Sequence, residues 1–433
     1  MFLMKNQVRP YAWGSRTAIS ALLGEPVPSG EPQAELWVGA HPGDSSVLVQ
    51  PAGDRPLVHA VAEDPAGTLG VEVAREFDGS FPFLLKLLAA DAPLSLQAHP
   101  TMAQARAGFD AEDAAGVPVD APFRNYKDRS HKPELMYALT AFEALCGFRP
   151  TAVTVRLLDE LGAPVLGDVR SALVERPGEP GLREVVTSLL ASDRAAVAPV
   201  VDAVAAACRA QADRAGEVEF AAEFRMAARL AQFYPGDPGV LIALLMNRID
   251  LAPGEAVFLP AGNMHAYLSG FGVEIMASSD NVLRGGLTTK HVDVKELSAV
   301  VSFVPDEPML IPGVPVAPGE VAFRTPVPEF LLSRVRVDAV GRVLEHTGPQ
   351  ILLVTEGTLT LTDAQGSELT VGPGRSVFLP ARQGPVRVHG AGTLFRATDG
   401  LTARAATAPA DGTTSGSTPA GADPAAPALS LVS

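Results

Sequence analysis

Cysteine and long apolar runs are scarce in this chain of 433 residues. The two cysteines, Cys146 and Cys208, lie in apolar or helical surroundings, which argues against a disulfide framework and fits a reducing cytoplasm. No apolar run reaches the about 18 residues of a membrane span. The N-terminal segment, residues 1–6, lacks the pattern of a secretory signal. The net charge of −15 disfavours nucleic acid and anionic membranes as partners.

Lysine is also rare, because only six of the 34 basic residues are lysines. Three of them, Lys86, Lys132 and Lys290, stand in or beside polar motifs. In a chain so biased to arginine, a lysine in a pocket indicates a need for a point charge or a titratable amine. Chance placement is the alternative for so small a set.

The remaining composition is that of a globular protein with a large core, with 47% hydrophobic and 19% charged residues. Short strands and turns are predicted from Val47 to Leu96, and a helix from Thr101 to about Gly108. Residues 150–235 change character, because the runs 195–211 and 221–233 are alanine-rich and helix-periodic. After Arg404 the composition predicts a disordered tail. We therefore predict a mainly β protein with a helical insert.

The stretch from Leu94 to Pro100 alternates like a strand, with Leu94, Leu96 and Ala98 predicted on one face. The other face presents Ser95, Gln97 and His99. An amide oxygen and an imidazole nitrogen two residues apart can bind the same ion. A purely structural role for the glutamine and histidine is the alternative.

A carboxylate leads the next apolar strand, in the stretch from His131 to Leu139. Glu134 shares a predicted face with Met136 and Ala138. Because an unpaired buried charge is costly, Glu134 needs a cation or a metal ion as a partner. His131 fits a loop position equally well.

The stretch from Leu251 to Tyr267 has the spacing of a β-barrel corner, with His265 and Tyr267 on one strand face. It leads to a strand that carries Glu274 and then to a polar loop. Such a dense polar loop beside a strand corner indicates a functional site rather than solvated surface. The charged and amide residues of this loop are Asp280, Asn281, Arg284, Lys290, His291 and Asp293.

The corner is repeated within the chain. Residues 371–381 align with residues 251–261 at a constant offset of 120, with seven of eleven positions identical. At the same offset, Pro385 stands in place of His265. The second copy therefore has the same strand and turn pattern but lacks the histidine ligand, so we predict that it has a packing role.

These motifs, in this order, resemble the cupin superfamily and, within it, the type I phosphomannose isomerases. The resemblance rests on the stretches 97–100, 131–134, 260–267 and 272–293, and it extends over about residues 5–400. Tyr11-Ala-Trp-Gly14 and Glu35-Leu-Trp37 also fit. Departures from the family pattern are small: Arg9 in a position where glutamine is common, Thr289 where proline is common, and the added tail.

The resemblance implies two cupin-type β-barrels, or jelly rolls, and a helical domain. It implies that residues 1–149 and 240–308 form the catalytic cupin domain and that residues 150–239 form the insert. Residues 309–403 would then form a barrel without metal ligands, before the tail at 404–433. The expected protein is a cytoplasmic monomer with one Zn²⁺ per chain and a sugar phosphate as substrate.

The resemblance also implies site residues. Its zinc ligands are Gln97, His99, Glu134 and His265. It also makes Arg284 the active-site arginine. From the chemistry of these motifs we add Glu274 and Asp280 as candidates for proton transfer, a task that His99 or Lys132 could share, and His131 and Lys86 as candidates for ring opening. The substrate-binding candidates are Ser95, Lys290, Trp13 and Tyr267, with Arg284, Lys132 and Lys290 as the cations available to a phosphate. Two imidazoles, a carboxylate and an amide oxygen suit zinc, and moving a carbonyl between C1 and C2 requires a base and a polarised oxygen.

Three other functions share part of this residue pattern. A cupin dioxygenase would hold iron with two histidines and a carboxylate, but Gln97 and the nearby cations argue against it. A different cupin sugar-phosphate isomerase would match the 272–293 stretch less fully. A non-catalytic sugar-binding protein would have no need for Glu274 and Arg284.

Overall fold

The computed structural model describes residues 1–214, 216–345 and 347–405. Within these ranges two sheets of eleven strands each, together with a group of helices, make up the fold. The mainly β architecture with helices is therefore confirmed. Apart from its first two residues, which end the last helix, the predicted tail lies outside the described residues.

Eleven strands form each of the two sheets. The first sheet contains β2 (Gln7–Arg9), β3 (Glu35–Gly39), β6 (Phe83–Ala90), β7 (Gln97–Ala98), β8 (Glu134–Ala138), β9 (Phe142–Phe148), β10 (Met246–Leu251), β11 (Ala256–Leu259), β12 (His265–Ala277), β13 (Leu283–Arg284) and β14 (Met309–Leu310). The second contains β1 (Phe2–Lys5), β4 (Val47–Leu48), β5 (Arg55–Pro56), β15 (Gly313–Ala317), β16 (Glu320–Phe323), β17 (Leu331–Val337), β18 (Arg342–Leu344), β19 (Gln350–Thr362), β20 (Glu368–Val371), β21 (Ser376–Leu379) and β22 (Val386–Thr398).

The helices lie mainly between β9 and β10. In chain order the described helices are α1 (Ala18–Leu23), α2 (Leu57–Glu63), α3 (Pro65–Leu69), α4 (Val71–Glu76), α5 (Met102–Ala114), α6 (Thr151–Leu161), α7 (Gly167–Glu175), α8 (Glu179–Ala191), α9 (Arg194–Ala212), α10 (Ala221–Phe233), α11 (Gly239–Ala243), α12 (Val294–Val300) and α13 (Gly400–Ala405). Two 3₁₀ turns, Pro164–Leu166 and Ala381–Gln383, accompany them.

The helices predicted at 195–211 and 221–233 are present as α9 and α10. The segment from Val47 to Leu96 was predicted as strands and turns, but it contains the three short helices α2, α3 and α4. Local features explain part of this difference, because α3 begins with Pro65 at its first position and Asp64 caps its start through the amide of Gly67. The helix after Pro100 extends beyond Gly108 to Ala114.

By length and composition, α9 is apolar enough to cross a membrane. In this fold, however, its buried face carries Val197, Val201 and Val204 into a core shared with the other helices of the insert. Leu145 and Ala266 of the first sheet belong to the same core. Helix α9 is therefore packed as a core helix that helps to cover one side of the first sheet.

Alternation along the central strands of the first sheet gives it two different faces. Residues such as Leu85 and Ile275 point to one face, where they share a core with Ile351 and Phe378 of the second sheet. The residues that alternate with these along the strands, such as Leu88, form a separate apolar cluster on the opposite face. The two sheets therefore pack against each other, and the polar residues of the central strands lie on the face turned away from the second sheet.

The sequence repeat is confirmed as a structural repeat. Strands Ala256–Leu259 and Ser376–Leu379 coincide at the offset of 120, and each is followed by a strand of 13 residues. The order β11-β8-β12-β6-β3-β2 in the first sheet matches β21-β19-β22-β17-β16-β15 in the second. The N-terminal strand Phe2–Lys5 pairs with Ser376–Leu379, so the start of the chain contributes to both sheets.

Candidate metal centre and active site

Three buried side chains converge on one point at the face of the first sheet that is turned away from the second sheet. The ligand atoms of His99, Glu134 and His265 lie within 4.8 Å of one another. His99 Nε2 is 3.3 Å from Glu134 Oε1, and His265 Nε2 is 3.4 Å from Glu134 Oε2. Their exposed fractions are 1% or less. Within residues 1–214, 216–345 and 347–405, no second group of three such side chains has this geometry.

Both imidazoles direct a lone pair into this cluster. His99 Nδ1 lies 2.6 Å from the carbonyl oxygen of Asn281, and His265 Nδ1 lies 3.0 Å from that of Asn263. Because a carbonyl oxygen can only accept, each Nδ1 carries the proton in the neutral ring. Each Nε2 is then an acceptor, and both are buried without a hydrogen-bond partner. Burial lowers the pKa of His99 to about 4, which keeps that ring neutral.

Two lone pairs that face a carboxylate repel one another unless a cation lies between them. Although burial alone would raise the pKa of Glu134, Lys132 and the two imidazoles lower it well below its ordinary value. Glu134 is therefore ionised at neutral pH. The donor set of two imidazole nitrogens and one carboxylate fits a zinc ion. The backbone carbonyls that fix the two rings are the outer partners expected at such a site.

The remaining predicted ligand, Gln97, lies directly beside this cluster. In strand register it is paired with His265 on one side and with Arg284 on the other. Its neighbours Leu96 and Ala98 pack into the core that is shared with the helices of the insert. Leu94, like Trp13, packs instead against the apolar cluster that contains Leu88. The predicted alternation thus holds from Leu96 onward but does not include Leu94.

Lys132 and Tyr267 also contact the carboxylate of Glu134. Lys132 Nζ lies 3.3 Å from Oε1, and the Tyr267 hydroxyl donates to Oε2 over 3.4 Å. Tyr267 is only 1% exposed, and burial raises the pKa of its phenol well above the ordinary value, as do Glu274 and Glu134. Tyr267 remains a substrate-binding prediction, and its observed contact is with the metal-binding carboxylate.

A row of polar side chains crosses three neighbouring strands next to the metal cluster. Strand register places Trp37, Lys86 and Glu274 directly opposite one another. Lys86 Nζ lies 2.9 Å from Glu274 Oε2 and 3.7 Å from Glu35 Oε1. The Trp37 indole donates to Glu35 over 2.7 Å, and its ring lies 5.5 Å from the Lys86 ammonium.

The charges of this row are set by burial and by one another. Burial opposes the charge of Lys86, but Glu274, Glu35 and Glu134 raise its pKa far above the ordinary value. Burial raises the pKa of Glu274, Glu134 and Glu35 raise it further, and Lys86 opposes this shift. A carboxylate with a raised pKa beside a permanent cation is suited to accept and return a proton.

Arg284 and Lys290 are two cations without a carboxylate partner at the edge of this site. In the described part of the chain, neither side chain forms an ion pair or a hydrogen bond. Burial lowers the pKa of Arg284, and burial together with Arg284 lowers the pKa of Lys290. Ser95 is half-buried two residues before Gln97. Cations without an anionic partner are suited to bind an anion such as phosphate.

Two predicted catalytic residues have partners outside the metal cluster. His131 Nε2 lies 2.6 Å from Glu329 Oε1, a carboxylate that precedes the second sheet's strand Leu331–Val337. Asp280, whose side chain is 52% exposed, lies 3.3 Å from His41 Nε2. Burial would raise the pKa of Asp280, but His41, Lys132 and Lys86 lower it. Trp13 is half-buried and stacks on Tyr11 at 5.8 Å.

Residues outside the predicted site set hold the site together. Asn281 is fully buried, and its amide accepts from the backbone of Lys127 and donates to the backbone of Asp128 and Ser130. It therefore ties the loop before Glu134 to the carbonyl that orients His99. Glu35 was also missed, although a glutamate in an otherwise apolar strand, two residues before a tryptophan, was a visible signal.

Residues 1–151 match the family described as phosphomannose isomerase type I, catalytic domain. The mannose-6-phosphate isomerase of Escherichia coli (strain K12) is 40% identical over 395 residues, covering 90% of this chain and 97% of that protein. The chain belongs to the type I phosphomannose isomerase family. The Homo sapiens mannose-6-phosphate isomerase is 32% identical over 413 residues, with 90% of this chain and 93% of that protein covered.

A solved structure of a type I phosphomannose isomerase relative has the same fold. It is a mannose 6-phosphate isomerase with zinc bound, 37% identical, with a TM-score of 0.82 over 92% of this chain and 99% of that one. Its zinc agrees with the donor set of His99, Glu134 and His265. The present chain therefore has the fold of this family, and His99, Glu134 and His265 form its candidate zinc site.

Proposed function

We propose that this chain interconverts mannose 6-phosphate and fructose 6-phosphate with one bound Zn²⁺. The observation that carries the proposal is the metal cluster with its two unpartnered imidazole nitrogens, beside the Lys86–Glu274 pair. Family membership indicates which sugar phosphate is the substrate, because the relatives are mannose-6-phosphate isomerases.

His99, Glu134 and His265 would hold the ion, and Gln97 would supply an amide oxygen from the adjacent strand position. These four ligands carry a net charge of only −1, from the one carboxylate. When bound, the ion is a Lewis acid that polarises the carbonyl and stabilises the developing oxyanion. Tyr267 and Lys132 support the site by fixing the carboxylate of Glu134.

Proton transfer through a cis-enediol is the reaction path that the protein groups support best. Glu274 would remove the proton from C2 and deliver it to C1, while the hydroxyl proton moves between the two oxygens. Its burial and its raised pKa favour this role. Asp280 is the weaker candidate, because it is half-exposed and His41 holds its pKa down. Lys86 would remain protonated and balance the charge of Glu274.

The phosphate group would be held by Arg284 and Lys290, with Ser95 as a hydroxyl donor. The absence of an anionic partner for either cation, among the residues described, supports this assignment. His131 and Lys86 are proposed to assist ring opening, and Lys132 is proposed as a further cation near the phosphate or as a partner in proton transfer. Trp13 would contribute an apolar surface at the mouth of the site. For His131, the 2.6 Å contact with Glu329 would keep the imidazole in place.

We also propose that each sheet is a cupin-type barrel. The predicted division, with residues 1–149 and 240–308 for the catalytic barrel, 150–239 for the insert and 309–403 for the second barrel, would then apply except at four short strands. Phe2–Lys5, Val47–Leu48 and Arg55–Pro56 join the second sheet, and Met309–Leu310 joins the first. The matching strand orders support this proposal. The buried free cysteines, whose thiol pKa values burial raises to about 12, suit a reducing cytoplasm. We propose a monomer that works there in GDP-mannose biosynthesis.

A coupled assay with mannose 6-phosphate tests the activity. The zinc-loaded chain should form fructose 6-phosphate without an organic cofactor, and failure to do so would refute the proposed reaction. In D₂O, product from mannose 6-phosphate should carry deuterium at C1, because the protonated base exchanges with solvent. Complete absence of label over many reversible turnovers would favour hydride transfer and remove Glu274 from the role of base.

A further inference from the structure

We propose that Asp237, which lies near the end of the helical insert (residues 150–239), is a positioning residue for Arg284. The proposal rests on the function proposed above for Arg284. It assigns the insert a part in catalysis, although none of the residues predicted for the site lies in it. Three backbone hydrogen bonds, one strained residue and one close contact between two glycines join Asp237 to the loop that follows Arg284.

Asp237 is 3% exposed, and its carboxylate accepts three backbone N–H groups. Its Oδ1 accepts from Gly239 over 2.8 Å and from Leu287 over 2.9 Å, and its Oδ2 accepts from Thr288 over 3.3 Å. The nearest cation, Arg194, is 3.9 Å away and largely exposed. The carboxylate is therefore used to hold the backbone that follows Arg284 rather than to form a close ion pair.

This backbone has a conformation that it would not hold without support. Leu287 has a φ of 51°, in the left-handed region that side chains with a Cβ seldom adopt, and it is 1% exposed. Such a strained conformation persists only where the surrounding structure fixes it. The amide of Leu287 is one of the three that Asp237 holds. Asp237 is therefore the group that stabilises the strained turn.

Two glycines allow the insert to approach the loop this closely. A Cβ on Gly239 would lie 2.5 Å from the amide nitrogen of Leu287, and one on Gly286 would lie 2.7 Å from the Cα of Gly239. Gly286 also has a φ of 118°. No other residue type fits at either position without displacing the backbone. The contact between the insert and the loop is thus made directly by backbone atoms.

On its other side, the loop 284–288 is attached to the segment 96–99, which contains Gln97 and His99. Gly285 donates to the carbonyl of Leu96, and Leu96 donates to the carbonyl of Gly286, over 2.8 and 3.0 Å. Arg284 itself pairs with Gln97. The short segment 284–288 is therefore held between Gln97 on one side and Asp237 on the other. A loss of the Asp237 contacts would allow the loop, and with it the guanidinium, to move.

The first test uses hydrogen exchange and needs no substrate. In Asp237→Ala, the amides of Leu287 and Thr288 should exchange faster, while the exchange of the strand 134–138 stays unchanged. In Asp237→Asn, the oxygen can still accept from Gly239 and Leu287, so the faster exchange should be confined to Thr288. Unchanged exchange of residues 285–290 in Asp237→Ala would overturn the proposal, whatever the activity of the chain.

The second test is a double-mutant cycle with Arg284→Lys. Asp237→Ala alone should lower kcat/KM by about 10²-fold, since displacement by about 1 Å is enough for such a loss. In the Arg284→Lys background the same substitution should cost less than about 3-fold, because coupled residues are not additive. Equal losses in both backgrounds would show that Asp237 does not act through Arg284.

Asp193→Ala is the matched control for both tests. Asp193 caps helix α9 of the same insert by accepting from the amide of Ala195 over 3.1 Å, and it makes no contact with the loop 284–288. Its removal should lower Tm without changing kcat/KM or the exchange of Leu287. A control that lost activity as Asp237→Ala does would reduce the role of Asp237 to general stability. If the wild type does not isomerise mannose 6-phosphate, only the kinetic arm is lost.

Discussion

The two sheets share a strand order but use their polar positions in opposite ways. Counted through the paired strands from the repeated segment, Glu134 in the first sheet corresponds to Gln350 in the second. Glu274 likewise corresponds to Arg396, and Lys86 to Ser333. Two further register positions complete the comparison: Trp37 corresponds to Ala322, and Glu35 to Glu320.

At the positions that correspond to the site, the second sheet pairs its own polar groups. Arg396 lies 3.1 Å from Glu320 and donates to Gln350 over 2.9 Å, and it also reaches the carbonyl of Glu345. One cation and one carboxylate therefore cancel. In the first sheet the same positions hold three carboxylates and one amine, next to two imidazoles without partners at Nε2.

This difference shows that the scaffold and the site are separable. The same strand register can enclose a neutral, self-bonded group or an incomplete group that requires a ligand. Buried polar atoms without partners are rare in native proteins, and the two unpartnered imidazole nitrogens of His99 and His265 converge at one point of the first sheet, which indicates where the ligand binds. Activity should therefore respond to substitutions in the first sheet, and only stability to substitutions in the second.

The largest expected effect is that of His265→Ala. Loss of one of the converging ligands should release the metal and lower turnover by about 10³-fold or more, since the ion contributes several kcal/mol. Metal analysis and the coupled assay measure both quantities. His389→Ala is the matched control, because it removes an exposed histidine from the corresponding strand of the second sheet. Retention of bound zinc by His265→Ala would contradict the assignment.

The next effect is that of Glu274→Gln, which keeps the shape of the side chain and removes its basicity. Turnover should fall by about 10²–10³-fold, the usual contribution of a general base. Zinc content should not change, because Glu274 is not part of the metal cluster. Glu356→Gln, an exposed glutamate of the second sheet, should be neutral. A Glu274→Gln enzyme with near-wild-type kcat would transfer the role of base to another group.

Arg284→Lys should have a smaller effect on turnover, on the order of 10²-fold, with the fold and the zinc retained. Lysine keeps the charge but loses the planar fork that can hold two oxygens at once. The measurement is kcat with zinc content and Tm as checks. Arg375→Lys, in the turn before the repeated strand of the second sheet, is the control. Unchanged kcat would leave Arg284 with a structural role only.

Arg396→Met should have the smallest effect on activity and a clear effect on stability. It leaves the carboxylate of Glu320, which is 7% exposed, without its cation. Breaking such a buried pair costs on the order of 3 kcal/mol. Arg387→Met, at an exposed position of the same strand, should change stability by less than about 0.5 kcal/mol. Chemical denaturation measures both. A loss of zinc in Arg396→Met would show that the sheets are not functionally separate.

The three side chains of the candidate metal cluster could be predicted because their motifs are local. His99 follows Gln97, which stays a predicted fourth ligand, and His265 follows a recognisable strand corner. The ion pair of Lys86 with Glu274 could not be predicted in the same way, because it depends on the register between two strands far apart in the chain. The contact of His131 with Glu329 likewise joins residues 198 positions apart.

The fold was predicted in outline and missed where tertiary contacts decide. The repeat predicted the strands Ala256–Leu259 and Ser376–Leu379, but it gave no sign that Phe2–Lys5 would pair with the second of them. The role inferred for Asp237 depends on the loop that folds against it, so the aspartate alone carried no signal in a turn rich in proline and glycine. Local patterns predict elements, whereas partners depend on the assembled sheets.

One sheet is expected to hold a metal ion, and the other to be complete without one. The zinc stoichiometry of the wild-type chain measures this difference. Native mass spectrometry after removal of loosely bound metal should show one zinc ion per chain, and a chelator should remove it together with the activity. Two tightly bound ions per chain, or full activity of the metal-free protein, would contradict the account.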